Sequence, residues 1–345
     1  MACSTGATVP SANVERVFPD KPLAASVTGY VNFGKRALAA FFGLAIALAG
    51  GPALHAATYY VTVGGLGGEP EFETRFSNWA KEVDKLVKAA PESKVETFEG
   101  GAATRANLRA SLEKIAKDST PADALVLLLL GHGTFDGLDY KMNLPGPDIT
   151  ADELASLLGK VRARQLVVNT TSSSGGAIST LRRDGRVIVS ATKSGTEKNA
   201  TVFARYWIEA LRDPAADTDK NETVSALEAF RYAEQKTAQF YETQKRLSTE
   251  HAVLEDTGKG EGVKAPSPEN GYGLVASTFP LLRLGAAAKA AANPAKQKLL
   301  ATREDLEQQI DRLKYQKAAT PAEEYRKKLG VLLLDLARVQ EELDK

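Results

Sequence analysis

The chain has 345 residues, and its 44 Lys and Arg residues nearly balance its 43 Asp and Glu residues. This balance leaves no basic field for a phosphate backbone and argues against nucleic acid as a partner. The single cysteine, Cys3, excludes an intrachain disulfide and leaves the rest of the chain without a thiol.

The first 57 residues are predicted to precede the folded part. Lys35 and Arg36 come just before an apolar core, Ala37–Gly50, and small residues follow as far as Ala56. This order is typical of a secretory signal peptide, so we expect an exported protein, periplasmic or extracellular, with no membrane span after cleavage. A retained N-terminal membrane anchor is the alternative, although the core is shorter than the roughly 20 residues of a comfortable span.

Strands alternate with helices in the next part of the chain, which predicts a mainly parallel sheet wrapped by helices. The predicted strands are Thr58–Val63, Lys94–Phe98, Leu125–Leu130, Gln165–Asn169, Arg186–Ala191 and Tyr272–Ser277. The predicted helices are Phe72–Ala90, Thr104–Ala116, Thr150–Leu158, Asn199–Leu211 and Val224–Leu247. Thr150 and Glu153 form a predicted capping box at the start of the third helix.

The composition changes after about Gly285. An Ala- and Lys-rich linker, Ala286–Pro294, precedes two helical segments, Lys296–Lys317 and Pro321–Asp344. Apolar residues repeat every seven positions in both, which predicts an antiparallel coiled-coil hairpin. The hairpin either packs back on the domain or protrudes freely, and it is a candidate surface for self-association. The predicted domains are therefore residues 1–57, 58–284 and 285–345.

The strand Leu125–Leu130 runs directly into Gly131, His132 and Gly133. Six consecutive aliphatic residues are typical of a strand buried on both faces, and ligands of open α/β sheets bind beyond the carboxyl ends of such strands. His132 is therefore a candidate catalytic residue. Alternatively, its imidazole caps the strand by bonding a loop carbonyl.

The next predicted strand leads into a second loop of small residues, Thr170–Gly176. The two loops together resemble the caspase–legumain clan of cysteine peptidases, in particular the legumain-like family. In that clan one strand ends in His-Gly, and the next ends in an acidic residue, a small residue, the catalytic cysteine, a variable residue and Ser-Gly. When Ser174 and Gly175 are aligned on that pattern, Ser172 takes the cysteine position and Thr170 takes the acidic position.

The resemblance covers roughly Thr58–Leu284. It implies a caspase-like three-layer α/β/α sandwich with a mainly parallel sheet, followed here by the helical hairpin. It also implies His132 and Ser172 as the catalytic pair and the Gly133 N–H as an oxyanion donor. It makes a peptide or protein the expected substrate or ligand.

The serine at the nucleophile position changes the expected chemistry. A serine hydroxyl is a much weaker acid than a thiol, and it needs a histidine held by a third group. Asp136 and Asp139 are close to His132 in sequence but are expected to face water. We therefore expect an exported legumain-like protein that is catalytically impaired and binds an extended peptide in the old cleft. The alternative is an active endopeptidase that uses a Ser172–His132 pair.

A second candidate site is the acidic segment Asp217–Glu228, which has the ligand spacing of an EF-hand calcium loop. The predicted calcium ligands are Asp217, Asp219, Asn221, the carbonyl of Thr223, Ser225 and Glu228. Glu222 stands where that loop requires a glycine, and the left-handed conformation would strain it. Alternatively, the segment is an acidic helix start in a solvated loop. His251 is expected to be a surface residue.

Overall fold

The aliphatic run before His132 forms an interior strand of a six-stranded sheet in the computed structural model, which describes residues 56–91 and 93–345. The predicted signal core, Ala37–Gly50, lies outside the described residues. In chain order the strands are β1 (Thr58–Gly64), β2 (Ser93–Phe98), β3 (Ala124–Leu130), β4 (Gly133–Phe135), β5 (Tyr140–Met142), β6 (Ile149–Thr150), β7 (Arg164–Asn169), β8 (Arg186–Ser190), β9 (Thr223–Ser225), β10 (Val253–Glu255) and β11 (Pro280–Arg283).

The central sheet has the strand order β2-β1-β3-β7-β8-β10. The first five strands are parallel and β10 is antiparallel, which confirms the predicted mainly parallel sheet. Because β1 lies between β2 and β3, the chain reverses its direction across the sheet at the β1–β3 boundary. Ligands of open α/β sheets bind beyond the strand ends at such a reversal. The strands β4, β5 and β6 form a small antiparallel sheet directly after β3, and β9 pairs with β11.

Helices cover both faces of the central sheet, as predicted. They are α1 (Pro70–Lys88), α2 (Arg105–Asp118), α3 (Ala151–Gly159), α4 (Ile178–Leu181), α5 (Phe203–Ala210), α6 (Ala226–Thr243), α7 (Leu274–Ser277), α8 (Gly285–Ala291), α9 (Pro294–Tyr315) and α10 (Ala322–Asp344). One apolar core joins the sheet to α1, α5 and α6, and a second joins its other face to α2, α3 and α4. In the part of the chain that is described, no helix combines the length and the hydrophobicity needed to cross a membrane.

The strand β3 contributes to both cores. Val126 and Leu128 pack on the side of α1 and α5, whereas Leu125, Leu127 and Leu129 pack on the side of α2 and α3. This two-sided burial explains why the sequence shows a continuous aliphatic run and no alternation. The burial fixes where β3 ends along the sheet. Because His132 follows two residues after β3, it also fixes the position of His132.

The segment Tyr272–Ser277 is not the predicted strand. It forms a turn and the short helix α7, because the buried carboxylate of Asp256 accepts hydrogen bonds from the N–H groups of Gly273, Val275 and Ala276. The antiparallel sixth strand is β10 instead. A short apolar run cannot reveal a capping partner that is far away in sequence.

Three helix starts also differ from the expectations. The predicted linker after Gly285 contains the helix α8. The capping box at α3 is only half formed: Thr150 accepts from the Glu153 N–H, but the Glu153 carboxylate pairs with Arg105. The run Thr320-Pro321-Ala322-Glu323 predicts an N-cap at Thr320 for α10, but the Thr320 hydroxyl donates to the carbonyl of Gln316 instead.

The C-terminal helical pair is confirmed, and it packs back on the domain through α9. The carboxylate of Glu304 accepts from Arg283, and the hydroxyl of Tyr315 donates to the carbonyl of Tyr272 at 2.6 Å. The helix α10 packs antiparallel on α9. Of the two arrangements weighed for the hairpin, the structure therefore has the docked one.

Candidate functional site

The two candidate loops lie at the same edge of the central sheet. The strands β3 and β7 are parallel neighbours, and Leu129 pairs with Asn169 at their carboxyl ends. His132 and Ser172 each follow three residues later, so both loops leave the sheet at the same level. The register therefore brings the two loops together, as the resemblance implies.

The hydroxyl of Ser172 is bound to the main chain of Gly133. Its Oγ accepts from the Gly133 N–H at 3.1 Å and donates to the Gly133 carbonyl at 3.0 Å. Ser172 is only 2% exposed. The N–H expected to stabilise an oxyanion is thus already engaged, and the serine proton points at a carbonyl oxygen.

Gly133 is the residue type that permits this contact. A Cβ atom at this position would lie 2.6 Å from the Ser172 carbonyl oxygen and 2.6 Å from the ring of Tyr140. Such distances are far below van der Waals contact, so only glycine fits between the two loops.

The ring of His132 packs against two aromatic side chains of α1. Its centroid lies 4.8 Å from that of Phe72 and 5.2 Å from that of Phe76, both in edge-on geometry. Among the described residues no hydrogen bond joins His132 to Ser172. Asp136 accepts from the N–H groups of its own turn, at Leu138 and Asp139, and does not orient the histidine.

Burial lowers the pKa of His132 below the usual 6.5, although the Gly67 carbonyl and the nearby Glu69 oppose that shift. The imidazole is therefore neutral at pH 7. A neutral imidazole is the form that can act as a base, but a base must lie within hydrogen-bond reach of the proton that it removes.

Thr170, at the position that is acidic in the resembled family, has a structural role here. Its hydroxyl donates to the Leu129 carbonyl at 2.7 Å, and its own carbonyl accepts from Thr201 at 2.5 Å. Thr170 therefore ties β7 to β3 and to the loop before α5. It supplies no charge to the site.

The rest of the loop is held by serine and threonine hydroxyls. The Oγ of Ser174 lies 2.9 Å from that of Ser190 and 3.1 Å from that of Thr192, which links the loop after β7 to the end of β8. Ser173 has a φ of 58°, in the left-handed region. Its N–H donates to the Glu197 carbonyl, and its buried hydroxyl has no partner in the described residues.

Sequence reasoning missed a carboxylate–histidine pair beside this loop. The Nδ1 of His251 lies 2.5 Å from Oε1 of Glu197, whose Oε2 accepts from the Lys193 N–H. His251 is therefore partnered rather than a simple surface histidine. The two residues are 54 positions apart, and no local spacing pattern could have revealed their contact.

Apolar side chains border the strand ends. Phe135 packs so closely that a Cβ at Gly195 would lie 2.2 Å from its ring, and a Cβ at Gly176 would lie 2.6 Å from it. Leu66 is 40% exposed and Leu138 is 86% exposed, and they belong to the loops after β1 and β4. We call Leu66, Phe135 and Leu138 the apolar rim.

The acidic loop Asp217–Glu228 is a separate site. One carboxylate oxygen from each of Asp217, Asp219 and Glu228 lies within 4.8 Å of the others. Asp217 accepts from the N–H groups of Asn221 and Glu222, so the loop is wrapped around its carboxylate. The other predicted ligands follow directly along the loop: Thr223 and Ser225 lie in β9.

Glu222 adopts the left-handed conformation that the loop was expected to require there, with a φ of 60°. Its carboxylate accepts from the Ala287 N–H in the first turn of α8 at 2.7 Å. This bond offsets the strain and explains how a glutamate can occupy the glycine position.

A cavity of about 550 Å³ lies between this loop and the C-terminal hairpin. Loss of hydration, followed by the charge of Glu228, raises the pKa of Asp219 to about 6. Loss of hydration also raises the pKa of Glu307 on α9 to about 7, with Arg303 opposing and Asp219 adding to the shift. Carboxylates from two elements therefore crowd one side of the cavity.

No protein-family model matches the chain, and no curated protein matches it in sequence. Among solved structures it is similar to protein GSU0716 from Geobacter sulfurreducens, with 14% identity, 67% of this chain and 99% of that chain covered, and a TM-score of 0.41. It is also similar to the Drosophila initiator caspase Dronc (10% identity, 60% and 82% covered, TM-score 0.40) and to caspase-1 from Spodoptera frugiperda (13%, 59% and 87%, TM-score 0.40). These likenesses concern the fold at low identity, and no site residue is carried over from them.

We predict that His132 titrates below pH 6.5 in the folded protein. Because the unfolded chain then takes up the proton more readily than the folded chain, the free energy of unfolding should fall as the pH drops through about 6.5. NMR titration of the imidazole resonances gives the midpoint. In the His132→Gln variant, with His251 retained as an internal comparison, this part of the pH dependence should be absent. A midpoint at or above 6.5 would contradict the prediction.

Proposed function

We propose that the chain is an exported, legumain-like peptidase-family protein that has lost hydrolysis at Ser172 and binds an extended peptide at the carboxyl edge of its sheet. The observation that carries the loss of hydrolysis is the pair of hydrogen bonds between Ser172 and Gly133. A nucleophilic serine needs its proton directed at a base and a free N–H facing the substrate carbonyl. In this chain the Gly133 carbonyl accepts the Ser172 proton, and the Gly133 N–H donates to the Ser172 hydroxyl.

The apolar rim supports the binding part of the proposal. Leu138 is almost fully exposed at the tip between β4 and β5, and Leu66 follows β1 on the opposite side of the reversal point. The Leu66 loop is joined to the base of the β4–β5 hairpin, because the Asn143 carbonyl accepts from the Leu66 N–H and the Asn143 N–H donates to the His132 carbonyl, whereas Leu138 lies at the tip of that hairpin. Such a rim offers apolar contacts to the side chains of a peptide that crosses the strand ends.

One observation favours the second candidate, an active endopeptidase that uses Ser172 and His132. The pKa of the imidazole is lowered, which favours its neutral form at pH 7, and the hydrogen bond with the Gly67 main chain orients the ring. Rotation of His132 away from α1 and breakage of the Ser172–Gly133 bonds would both be needed before the pair could act.

For catalysis, we expect the wild-type chain to cleave a peptide library no faster than Ser172→Ala and His132→Ala. Mass spectrometry of the library after long incubation detects any product. In Ser172→Cys, we expect slow labelling by thiol-directed alkylating agents, because the side chain is buried. If the wild type cleaves peptides and both alanine variants do not, the chain is an active endopeptidase and the proposed loss of hydrolysis is wrong.

For binding, we expect peptides selected on the wild-type chain to lose affinity in Leu138→Ser. Loss of one buried apolar contact of about 1.4 kcal/mol corresponds to a tenfold weaker Kd. Leu334→Ser, an exposed leucine on α10, is the matched control and should bind as the wild type does. Equal affinity in all three proteins, measured by fluorescence anisotropy, would exclude the rim as the binding surface.

For export, we expect signal cleavage after Ala56, which makes Ala57 the first residue. The Ala57 nitrogen lies 2.7 Å from the buried carboxylate of Asp123, so the new α-ammonium group would pair with that carboxylate. N-terminal sequencing of secreted protein should read Ala57, and Asp123→Asn should lower the Tm of the mature protein. A mature chain that retains residues 37–56 would establish the membrane-anchor alternative.

A further inference from the structure

The acidic loop carries a ligand set that its own segment does not complete. Glu228 faces Asp217 and Asp219 because loop donors hold it there: its Oε1 accepts from the N–H and hydroxyl of Thr218 and, at 3.4 Å, from the Asp219 N–H. Its Oε2 accepts from the N–H and hydroxyl of Ser225 in a capping box. Three carboxylates are thus fixed at short mutual distance, an arrangement that repulsion opposes unless a cation is present.

Thr223 gives an independent indication of a ligand. It is 5% exposed, and its hydroxyl has no hydrogen-bond partner in the described residues. Val224 points into the apolar core, so Thr223 and Ser225 face the opposite side of β9, where Thr223 lines the cavity together with Asp219 and Glu228. A buried hydroxyl without a partner is destabilising, and a cation or its bound water would supply one.

A fourth carboxylate reaches the loop from the C-terminal hairpin. The amide nitrogen of Asn221 lies 3.3 Å from Oδ2 of Asp219 and 3.2 Å from Oε2 of Glu307. The two carboxylates therefore flank the same side-chain amide, although they are far apart in sequence. Glu307 lies on α9, at the wall of the cavity.

The cationic side chains in contact with the loop do not balance this charge. Lys220 donates to the main-chain carbonyls of Pro214 and Asp217. Arg303 donates to the Asn221 carbonyl at 2.7 Å and lies 3.5 Å from Glu307. Among the described residues neither cation forms an ion pair with Asp217, Asp219 or Glu228, so these three carboxylates have no cationic partner.

We propose that Asp217, Asp219 and Glu228 bind one calcium ion and that Glu307, which the Asn221 amide links to Asp219, couples α9 to the site, so that calcium fixes the C-terminal hairpin on the domain. Oxygen donors in a flexible loop suit calcium, which takes six to eight of them, better than magnesium, which demands a strict octahedron. The consequence is structural coupling: the same ion that orders the loop also holds α9. This inference is independent of the peptidase proposal.

The test uses the full mature chain, freed of metal with a chelator and then titrated with calcium chloride or magnesium chloride. We expect calcium in the millimolar range to raise the Tm by about 2–4 °C, because the ion binds only the folded state. Magnesium should raise it less. Hydrogen exchange of α9 amides should slow when calcium is added.

Two variants test the contributions of the loop and of the hairpin separately. Asp219→Asn and Glu307→Gln should each weaken calcium binding about tenfold, and in Glu307→Gln the exchange of α9 should no longer respond to calcium. Glu324→Gln, an exposed glutamate on α10 that pairs with Lys328, is the matched control and should respond as the wild type does. Circular dichroism without calcium checks that each variant is folded.

Four results would overturn the inference. If calcium changes neither the Tm nor the hydrogen exchange of the wild type, the site does not exist. If magnesium raises the Tm as much as calcium does, the site is not specific for calcium. A calcium response that survives Asp219→Asn places the ion elsewhere. If calcium slows the hydrogen exchange of α9 in Glu307→Gln as much as in the wild type, the hairpin is not part of the site.

Discussion

The two reciprocal hydrogen bonds between Ser172 and Gly133 are the contact on which the carboxyl edge of the sheet depends. It joins the loops after β3 and β7 at their first turn, and each partner is buried. Removal of the hydroxyl would leave a buried N–H and a buried carbonyl without partners, at a cost of about 1–3 kcal/mol. The serine is thus a structural element of the edge, whatever chemistry the edge performs.

This contact has a chemical consequence, because the groups that a hydrolase would use on its substrate are used within the fold. The hydroxyls of Thr170, Ser172 and Ser174 bond neighbouring main chain and hydroxyls, and Phe135 packs against Gly176 and Gly195. The Ser172 hydroxyl and the Gly133 N–H are bonded to each other and are therefore not available to a substrate. Binding at the outer rim of the edge requires no rearrangement of these bonds, whereas hydrolysis at Ser172 requires that they break.

The sequence was sufficient to predict the features that arise from local pattern. The buried run of β3 and the glycines around His132 follow from hydrophobicity and turn chemistry, and they place two loops at one edge. The direction of the His132 ring could not be predicted, because Phe72 and Phe76 of α1 decide it. The same limit applies to the pair Glu197–His251 and to α7, whose cap, Asp256, is distant in sequence.

The acidic loop shows how a departure from a local pattern can have a cause elsewhere. Glu222 is strained at a position that prefers glycine, and within the loop alone that strain argues against the site. The contact with Ala287 gives the glutamate a role in α8, the first helix after β11. The same region of the loop therefore contacts α8 through Glu222 and α9 through Asn221.

Polar contacts contribute to the docking of the hairpin, beside the buried Ile310 and Leu313 of α9. The two main cores contain no residue of α8, α9 or α10, and α9 is held by Arg283, Arg303 and Tyr315 through charge and hydrogen bonds. A partly exposed ion pair such as Arg283–Glu304 contributes little and weakens with salt. Meanwhile α10 exposes Val331 and Leu334 to solvent. A hairpin held partly by charged contacts can respond to a change of charge in the acidic loop beneath it, and Asn221, Glu307 and Arg303 join that loop to α9.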